Sequence, residues 1–125
     1  MPNIQQGNSG MIYKDRGDIA DYDFEVGDLI TDGTWRELDI SSIVPANAKV
    51  IVGRIEVNDN LAGQAVYLRP YGYTNVKNRS SVITQVAGKT VVANFSLAIF
   101  DQKIEYMASN TSWTAITIQP SGWFI

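Results

Sequence analysis

Short runs in which apolar and polar residues alternate recur along most of the chain, separated by turn-forming residues. The clearest run covers residues 49–58, where Ile55 and Val57 share one face of an extended strand. Strict alternation indicates a strand with one buried face, because successive side chains point to opposite sides. Dipeptides such as Asp32-Gly33 mark tight turns between runs. We count about eight strands and no convincing helix, which predicts an all-β sandwich or barrel.

Two runs near the C-terminus carry much of this prediction. Residues 90–100 form the longest apolar stretch, and polar residues such as Asn94 alternate within it, so we expect a central, well-buried strand. A last long strand is predicted over residues 111–119. Residues 120–122 (PSG) then lead to a hydrophobic C-terminus, residues 123–125 (WFI), which the domain or a neighbour must cover.

The residue types that the chain lacks exclude several kinds of chemistry. It contains no histidine and no cysteine, so the usual general base, the usual nucleophile pairs and the two commonest transition-metal ligands are absent. The net charge of −3 offers no basic surface for a phosphate backbone. Phosphate-binding glycine loops and nucleophile elbows do not occur, and no apolar run approaches the length of a membrane span. We therefore expect no enzyme activity, no cofactor, no nucleic-acid partner and no membrane insertion.

Length and local composition divide the chain into two parts. A total of 125 residues is the size of one domain. Residues 2–10 are polar and contain glycine without any helical or strand period, so residues 1–17 are predicted to be an extended arm and residues 18–125 a β-sandwich domain. The first residues also lack the features of a signal peptide. Only 18% of the residues are charged, and a neutral surface of this kind suits packing against proteins or sugars.

Three tyrosines and an arginine form the best candidate for a partner- or ligand-binding surface. Tyr67, Arg69 and Tyr71 fall on one face of a predicted strand, and Tyr73 follows in the adjoining loop. Aromatic side chains and arginine dominate the energetics of protein interfaces, and aromatic faces also stack on sugars. The alternative is that one or more of these rings pack in the core.

Two acidic features admit a chemical interpretation, although a structural one is favoured for each. Residues 58–63 could offer oxygens to a calcium ion near Asp59, but this loop has one carboxylate and calcium takes several oxygen ligands, so a hairpin turn is favoured. An acidic group further upstream could hold two carboxylates for glycoside hydrolysis. The alternation around Asp23 and Glu25 instead indicates a solvent-facing surface. The members of this group are Asp15, Asp18, Asp21, Asp23, Glu25, Asp28 and Asp32.

Two segments give the chain a family resemblance. Residues 35–50 (WRELDISSIVPANAKV) and residues 102–113 (QKIEYMASNTSW) resemble segments of small β-sandwich domains in bacteriophage structural proteins, mostly tail-fibre, appendage and head-decoration proteins. The resemblance runs from Trp35 to the closing aromatic Trp123. It implies a jelly-roll-like fold and a domain that attaches to a virion, often presenting a binding surface.

The resemblance therefore implies a structural role in a phage particle. We expect a capsid-decoration or appendage protein that is assembled in the bacterial cytoplasm, resides in the virion, binds other virion proteins through its arm and oligomerises, for example as a trimer. The expected docking residues are Ile4, Gln5, Gln6, Met11, Ile12 and Tyr13. The expected subunit contacts are Trp123, Phe124 and Ile125. Trp113 and Trp123 are each assigned to the core or to a subunit contact, and the core is favoured.

Two other functions remain open at this level. A carbohydrate- or host-receptor-binding module of a tail fibre or tail tip would use Tyr67, Arg69, Tyr71 and Tyr73 to bind a surface glycan. A small carboxylate-based hydrolase would show turnover that the substitution of one acidic residue abolishes. The sequence does not separate a head location from a tail location, because the same sandwich serves both.

Overall fold

A computed structural model describes residues 10–125 of the chain, and these residues fold into an all-β structure as predicted. Their helical content consists of two 3-10 turns, Val26–Asp28 and Val76–Asn78. In this part of the chain no helix has the length and apolar character needed to cross a bilayer. The strands are β1 (Tyr13–Asp15), β2 (Phe24–Glu25), β3 (Arg36–Asp39), β4 (Val50–Asn58), β5 (Ala65–Pro70), β6 (Ser80–Ile83), β7 (Val91–Ala98), β8 (Lys103–Ala108) and β9 (Ala115–Phe124).

The strands form two antiparallel sheets. One sheet has the order β1-β9-β4-β7, and β2 pairs with the same edge of β9 as β1; the other has the order β3-β8-β5-β6. The pairs β2·β9, β3·β8, β4·β7 and β5·β6 are nested one inside the next along the chain. From β2 onward the chain changes sheet at every connection except that between β5 and β6. The result is a β-sandwich in which most pairings join distant parts of the sequence.

The core lies between the sheets and is built from the inward residue of each alternating pair. In β4, Ile51, Ile55 and Val57 point inward, as their alternation predicts. Strands β5, β8 and β9 contribute residues such as Leu68 and Ile118 in the same way. Each such side chain contributes about 1.5–3 kcal/mol relative to its exposed state, so the shared core is the main source of stability.

The aromatic residue Trp113 also belongs to the core. It is buried, and its indole Nε1–H donates to the Ser109 carbonyl oxygen at 3.0 Å. A buried tryptophan needs such a partner for its single donor. Of the two assignments considered from the sequence, the structure places Trp113 in the core.

Strand β9 runs through Pro120 and ends at Phe124, five residues beyond the predicted strand end at residue 119. Proline is tolerated here because the register shifts at a β-bulge, with Val52 opposite Gly122 and Gly53 opposite Pro120. A bulge interrupts the ladder, so the missing N–H of proline leaves no unpaired partner there. The prediction that the strand ends at residue 119 was therefore wrong.

The bulge also changes which residues of β9 face the core. Before it, Ile116, Ile118 and Pro120 point inward and are buried. After it, Trp123 pairs with Ile51 and packs against the core. One extra residue reverses the alternation of a strand, so the hydrophobic C-terminus is covered in part by the domain itself.

Strand β7 is an edge strand and not the central strand predicted for residues 90–100. Phe95 and Leu97 are buried, whereas Val91 and Ala93 are half-buried and Val92 is exposed. Alternation reports that one face of a strand is covered, and it carries no information on whether one or two strands flank it. The apolar length of this run was therefore a misleading guide to its position.

Candidate functional site

The outer face of the four-stranded sheet carries the predicted tyrosine surface. Val66, Leu68 and Pro70 of β5 point into the core, so Tyr67 and Arg69 point outward and are half-buried. The neighbouring strand β8 presents its own outward residues on this face. We call the set Trp35, Tyr67, Arg69, Tyr71, Arg79 and Lys103 the aromatic–cation face.

Arg69 is the centre of the aromatic–cation face. Its guanidinium carbon lies 3.8 Å from the centroid of the Trp35 ring. Its Nε donates to the Glu105 carboxylate at 2.6 Å, and Arg69 and Glu105 are directly opposite in the β5–β8 register. The other Glu105 oxygen accepts the Gly72 N–H at 3.1 Å. Arg69 is thus held by both an ion pair and a cation–π contact.

Two more cations cover the remaining rings of this face. Arg79 lies 4.1 Å from the centroid of Tyr67, and the Trp35 and Tyr67 rings are 6.4 Å apart. Lys103 lies 4.9 Å from the centroid of Tyr71 and donates to Glu37 at 3.0 Å. The bond to Glu37, followed by the charges of Glu37 and Tyr71, raises the pKa of Lys103. Each of these rings therefore already has a cation from the same domain on it.

The structure separates Tyr73 from the other predicted members of the surface. Its ring packs with Phe100 at a centroid distance of 5.7 Å, and both rings are exposed. Trp35, Arg79 and Lys103 were missed as members from the sequence. Trp35 was detectable, because it lies two residues before the outward residue Glu37 and therefore points to the same face of the sheet. The contact of Arg79 with Tyr67 was not, because it depends on the conformation of the loop between β5 and β6.

The N-terminal segment contributes a second surface. Ile4, Gln5 and Gln6, three of the predicted docking residues, lie outside the described residues. The other three, Met11, Ile12 and Tyr13, are 52%, 60% and 42% exposed.

This part of the N-terminal segment is tied to the C-terminus by backbone hydrogen bonds. The Ile12 N–H donates to the Ile125 carbonyl at 2.9 Å, and the Ile125 N–H donates back at 3.0 Å. Strand β1 continues the pairing, with Tyr13 opposite Phe124. Since β1 lies at the edge of its sheet, Met11, Ile12 and Tyr13 place three consecutive exposed apolar residues along that edge, and we call this run the apolar row.

The ring of Tyr13 completes this apolar edge. It packs on Phe124 at a centroid distance of 5.2 Å, and its hydroxyl donates to Asp15 at 3.1 Å. Partial burial, followed by the bond to Asp15, raises the pKa of Tyr13. Gly122 leaves the space for the ring, because a Cβ there would lie 2.5 Å from the Tyr13 Cζ. Of the predicted subunit contacts, Trp123 and Ile125 pack against the core and Phe124 packs on Tyr13.

An ion-pair network closes the loop between β1 and β2, and we call it the Arg16 clamp. Arg16 donates to both carboxylate oxygens of Asp23, at 2.5 and 3.2 Å, and to the Pro120 carbonyl at 3.0 Å. Gln119 binds Asp23 from the other side, donating at 2.7 Å and accepting the Asp23 N–H at 2.8 Å. The Pro120 carbonyl, which lies beside the bulge, thereby obtains a hydrogen bond from the Arg16 side chain. The clamp holds residues 17–22 against the outer face of the five-stranded sheet.

Beside this loop lies a polar cleft, which we call the Arg54 cleft. One hollow of about 480 Å³ runs over β4 and β7 and is lined by residues that include Arg54, Asn94 and Ser96. An adjoining hollow of about 300 Å³ is lined by Tyr22, Asp21 and neighbouring residues, and Arg54 belongs to both hollows. No local sequence pattern indicates this cleft, because it forms only where the loop, the bulge and two strands come together.

Several acidic residues accept hydrogen bonds from residues close to them in the chain. Asp59 is 1% exposed, and its Oδ1 accepts the Leu61 N–H at 2.8 Å, as expected for a turn. Asp28 accepts the Glu25 N–H at 2.9 Å, and Asp32 pairs with Arg36. Within residues 10–125 no group of three or more acidic side chains is arranged to hold a metal ion.

Two aspartate pKa values reflect such local bonding. The Arg36 guanidinium holds the pKa of Asp32 below its usual value, and hydrogen bonds from Ser41 lower the pKa of Asp39. Both carboxylates are held in their charged form by neighbours in the same turn or strand. Each of them also accepts the backbone N–H two residues further along the chain, from Thr34 and Ser41 respectively.

Comparison with known proteins adds no relative to this description. No protein-family model matches the chain, and no curated protein matches it. The physical features of the two sheet faces and of the N-terminal edge therefore carry the functional argument.

Proposed function

We propose that this protein is a structural subunit of a bacteriophage particle, a capsid-decoration or appendage protein that docks on other virion proteins through its N-terminal segment and oligomerises, for example as a trimer. The observation that carries the proposal is the apolar row, the three consecutive exposed residues Met11, Ile12 and Tyr13 at an edge of the sandwich. Exposed apolar rows on edge strands are sites of protein association. The proposal places the chain in the virion.

The connectivity supports a jelly-roll-like fold, which is common among viral capsid domains. A jelly roll forms when a long antiparallel ribbon is rolled into two sheets. The nested pairs β2·β9, β3·β8, β4·β7 and β5·β6 are the pairs that such rolling produces. The remaining neighbours, β4·β9 and β5·β8, then close the two four-strand layers. This argument concerns the fold and leaves the function to the surfaces.

The aromatic–cation face supports a protein-binding role more than a sugar-stacking role. A ring that stacks on a sugar must present an open face, whereas Trp35, Tyr67 and Tyr71 each carry a cation of the same domain. Each long side chain of this face contacts a ring or a carboxylate of the same domain, which restricts its rotamers. Rigid aromatic and arginine side chains lose little entropy when a protein partner covers them.

Light scattering of the purified protein tests the self-association part of the proposal. We expect wild-type protein to have the mass of a closed oligomer and Ile12→Asp to have the mass of a monomer, because a charge in the apolar row opposes its burial. Val76→Asp is the matched control, since Val76 is also exposed but lies on a distant 3-10 turn. A wild-type monomer at all accessible concentrations, or equal effects of both substitutions, would contradict self-association through this row.

A particle-incorporation assay tests the docking part. Phage particles produced by a host that expresses the protein are purified on a density gradient, and the chain is quantified by mass spectrometry. We expect the wild-type chain and Val76→Asp to co-purify with particles and Ile12→Asp to be depleted. A chain that never co-purifies with particles would refute the virion role, whereas normal incorporation of Ile12→Asp would refute docking by this row.

A further inference from the structure

We propose that the Arg54 cleft, on the outer face of the five-stranded sheet, is a binding site for an uncharged saccharide. This inference is independent of the virion role proposed above. It rests on the shape of the cleft, on the polar groups that line it and on one aromatic ring at its rim. It also moves sugar binding from the four-stranded sheet, where Tyr67 and its neighbours lie, to the opposite side of the sandwich.

The shape of the cleft follows from two features of the fold. The register shift between β4 and β9 lies beside it, and the Arg16 clamp ties down the loop whose residues 19–22 line the smaller hollow. Arg54 lines both hollows, of about 480 and 300 Å³. The larger hollow is shallow and open to solvent, whereas the smaller one is more enclosed.

The polar groups of the cleft lie along one rung of the sheet. Arg54 is directly opposite Asn94 on β7 and Gln119 on β9. Gln119 is held in place by Asp23, while Asn94 and Arg54 are exposed. A guanidinium offers several donors and an amide offers both a donor and an acceptor, which matches hydroxyl groups that act as both.

Arg54 is also less constrained than the arginine of the opposite sheet. Its contact with Glu56 is 3.5 Å long, and its side chain is 56% exposed. Arg69, by contrast, has a 2.6 Å bond to Glu105 and lies on Trp35. An exposed guanidinium with one weak partner retains donors for a ligand.

The aromatic ring of Tyr22 stands at the rim of the smaller hollow. It is more than half exposed, and it lies next to Asp21, whose carboxylate can accept from sugar hydroxyls. Pyranose rings present C–H groups on one face and hydroxyls at the edge, so an aromatic ring beside planar polar groups is complementary to them. Asp21 and Glu56 offset the charge of Arg54, which disfavours phosphate or sulfate groups.

Nuclear magnetic resonance titration of the ¹⁵N-labelled full chain tests the inference. Three neutral probes are used, namely trisaccharides of glucose, of galactose and of N-acetylglucosamine. A sulfated glucose oligomer is the charged probe. We expect amide shifts at Tyr22, Arg54 and Asn94 with at least one neutral probe. Shifts confined to Tyr67, Arg69 and Tyr73 would overturn the location, and a response to the sulfated probe alone would overturn the ligand class.

Substitutions then separate binding from folding. Tyr22→Ala and Arg54→Ala should each weaken binding about tenfold, as loss of a central contact does, with unchanged thermal midpoints. Tyr73→Ala and Arg79→Ala remove the same residue types from the other side of the sandwich and should leave affinity within about twofold. The absence of binding to every neutral probe, or equal losses in both pairs of variants, would refute the site. None of these outcomes depends on whether the protein oligomerises.

Discussion

The two outer faces of this sandwich contain similar residue types. They differ in whether the charged and hydrogen-bonding groups of those residues already have partners within the domain. On the four-stranded sheet Arg69 lies on Trp35 and binds Glu105 at 2.6 Å. On the five-stranded sheet Arg54 makes a single contact of 3.5 Å beside an open cleft. The same guanidinium group is therefore part of the scaffold on one face and free to meet a ligand on the other.

This difference teaches that residue type alone does not identify a binding surface. Arginine and tyrosine are enriched at interfaces, yet the same groups stabilise a domain when the fold supplies their partners first. On the aromatic–cation face, three cations and three rings are paired within the domain. On the opposite face, concavity and unsatisfied donors are the informative features. The experiments below test both halves of this comparison.

The largest change in the free energy of unfolding is expected for a substitution at Gly53, which lines the Arg54 cleft. In Gly53→Ala the new Cβ would lie 2.5 Å from the Gln119 carbonyl oxygen, 2.8 Å from Phe95 Cζ and 2.9 Å from Pro120 Cα. Because two of these neighbours are backbone atoms, the strands must move apart, and we expect a loss of about 3 kcal/mol in the free energy of unfolding. Urea denaturation measures this change.

Gly27→Ala is the matched control for Gly53→Ala. A Cβ at Gly27 has no atom within 4 Å, so its free energy of unfolding should stay within about 0.5 kcal/mol of wild type. If the two variants are equally stable, the close approach of β4 and β9 at the bulge is not a feature of the protein in solution.

The next largest effect is expected at Arg69, at the centre of the aromatic–cation face. Arg69→Ala leaves the Glu105 carboxylate, which is only 13% exposed, without its cation, so unfolding should become easier by about 2 kcal/mol. Arg69→Lys should restore less than half of this loss, because an ammonium cannot reproduce the planar contact with Trp35. Chemical denaturation of both variants gives the values.

Arg79→Ala is the comparison within the same face. Arg79 is exposed and contacts Tyr67 without an ion pair, and an exposed cation–π contact contributes about 0.5–1 kcal/mol. Equal, small losses at Arg69 and Arg79 would mean that the face is not satisfied internally, and it would become a candidate ligand surface again.

A third experiment compares the Arg16 clamp with an exposed ion pair. Arg16 and Asp23 are 18% and 21% exposed, whereas Lys103 and Glu37 are 30% and 54% exposed. In double-mutant cycles with Arg16→Ala and Asp23→Asn, we expect a coupling energy of about 1.5 kcal/mol, because charge-assisted bonds strengthen as water is excluded. The cycle for Lys103 and Glu37 should give about 0.5 kcal/mol or less. Coupling of similar size in both cycles would argue against the clamp as the support of the cleft wall.

The smallest effect concerns acid stability at the β3 edge of the four-stranded sheet. The pKa values of Asp32 and Asp39 are lowered in the folded protein. Their contribution is fully present above the pKa of an unfolded aspartate, roughly 4, and is lost as the pH falls through the lower folded values. The double substitution Asp32→Asn and Asp39→Asn should therefore flatten the dependence of the thermal midpoint on pH below about 4. An unchanged slope would show that neither carboxylate is held by its neighbours.

The sequence predicted the strands themselves well because their signal is local. Strand β4, for example, differs from its prediction by one residue at its start. Alternation with a period of two needs only neighbouring residues, and turn residues mark the ends of each run. The all-β fold class and the inward faces of these strands follow from the same local signal.

The sites were predicted less well because their parts come from distant positions. The sequence placed Tyr67 and Arg69 on one surface but could not show that Trp35 and Arg79 cover them. The Arg16 clamp joins Arg16 to Pro120 across most of the chain. No local pattern encodes such pairs, since each depends on which strands become neighbours.

The amino-acid sequence by itself determined that the chain forms short alternating strands and that it has no histidine or cysteine chemistry. Only the tertiary structure decided that β7 lies at an edge, that a bulge turns Trp123 inward and that Arg54 opens onto a cleft while Arg69 is covered. The physical reason is that side-chain alternation is a property of neighbouring residues, whereas strand order, register and the exclusion of water arise from contacts between residues far apart in the chain.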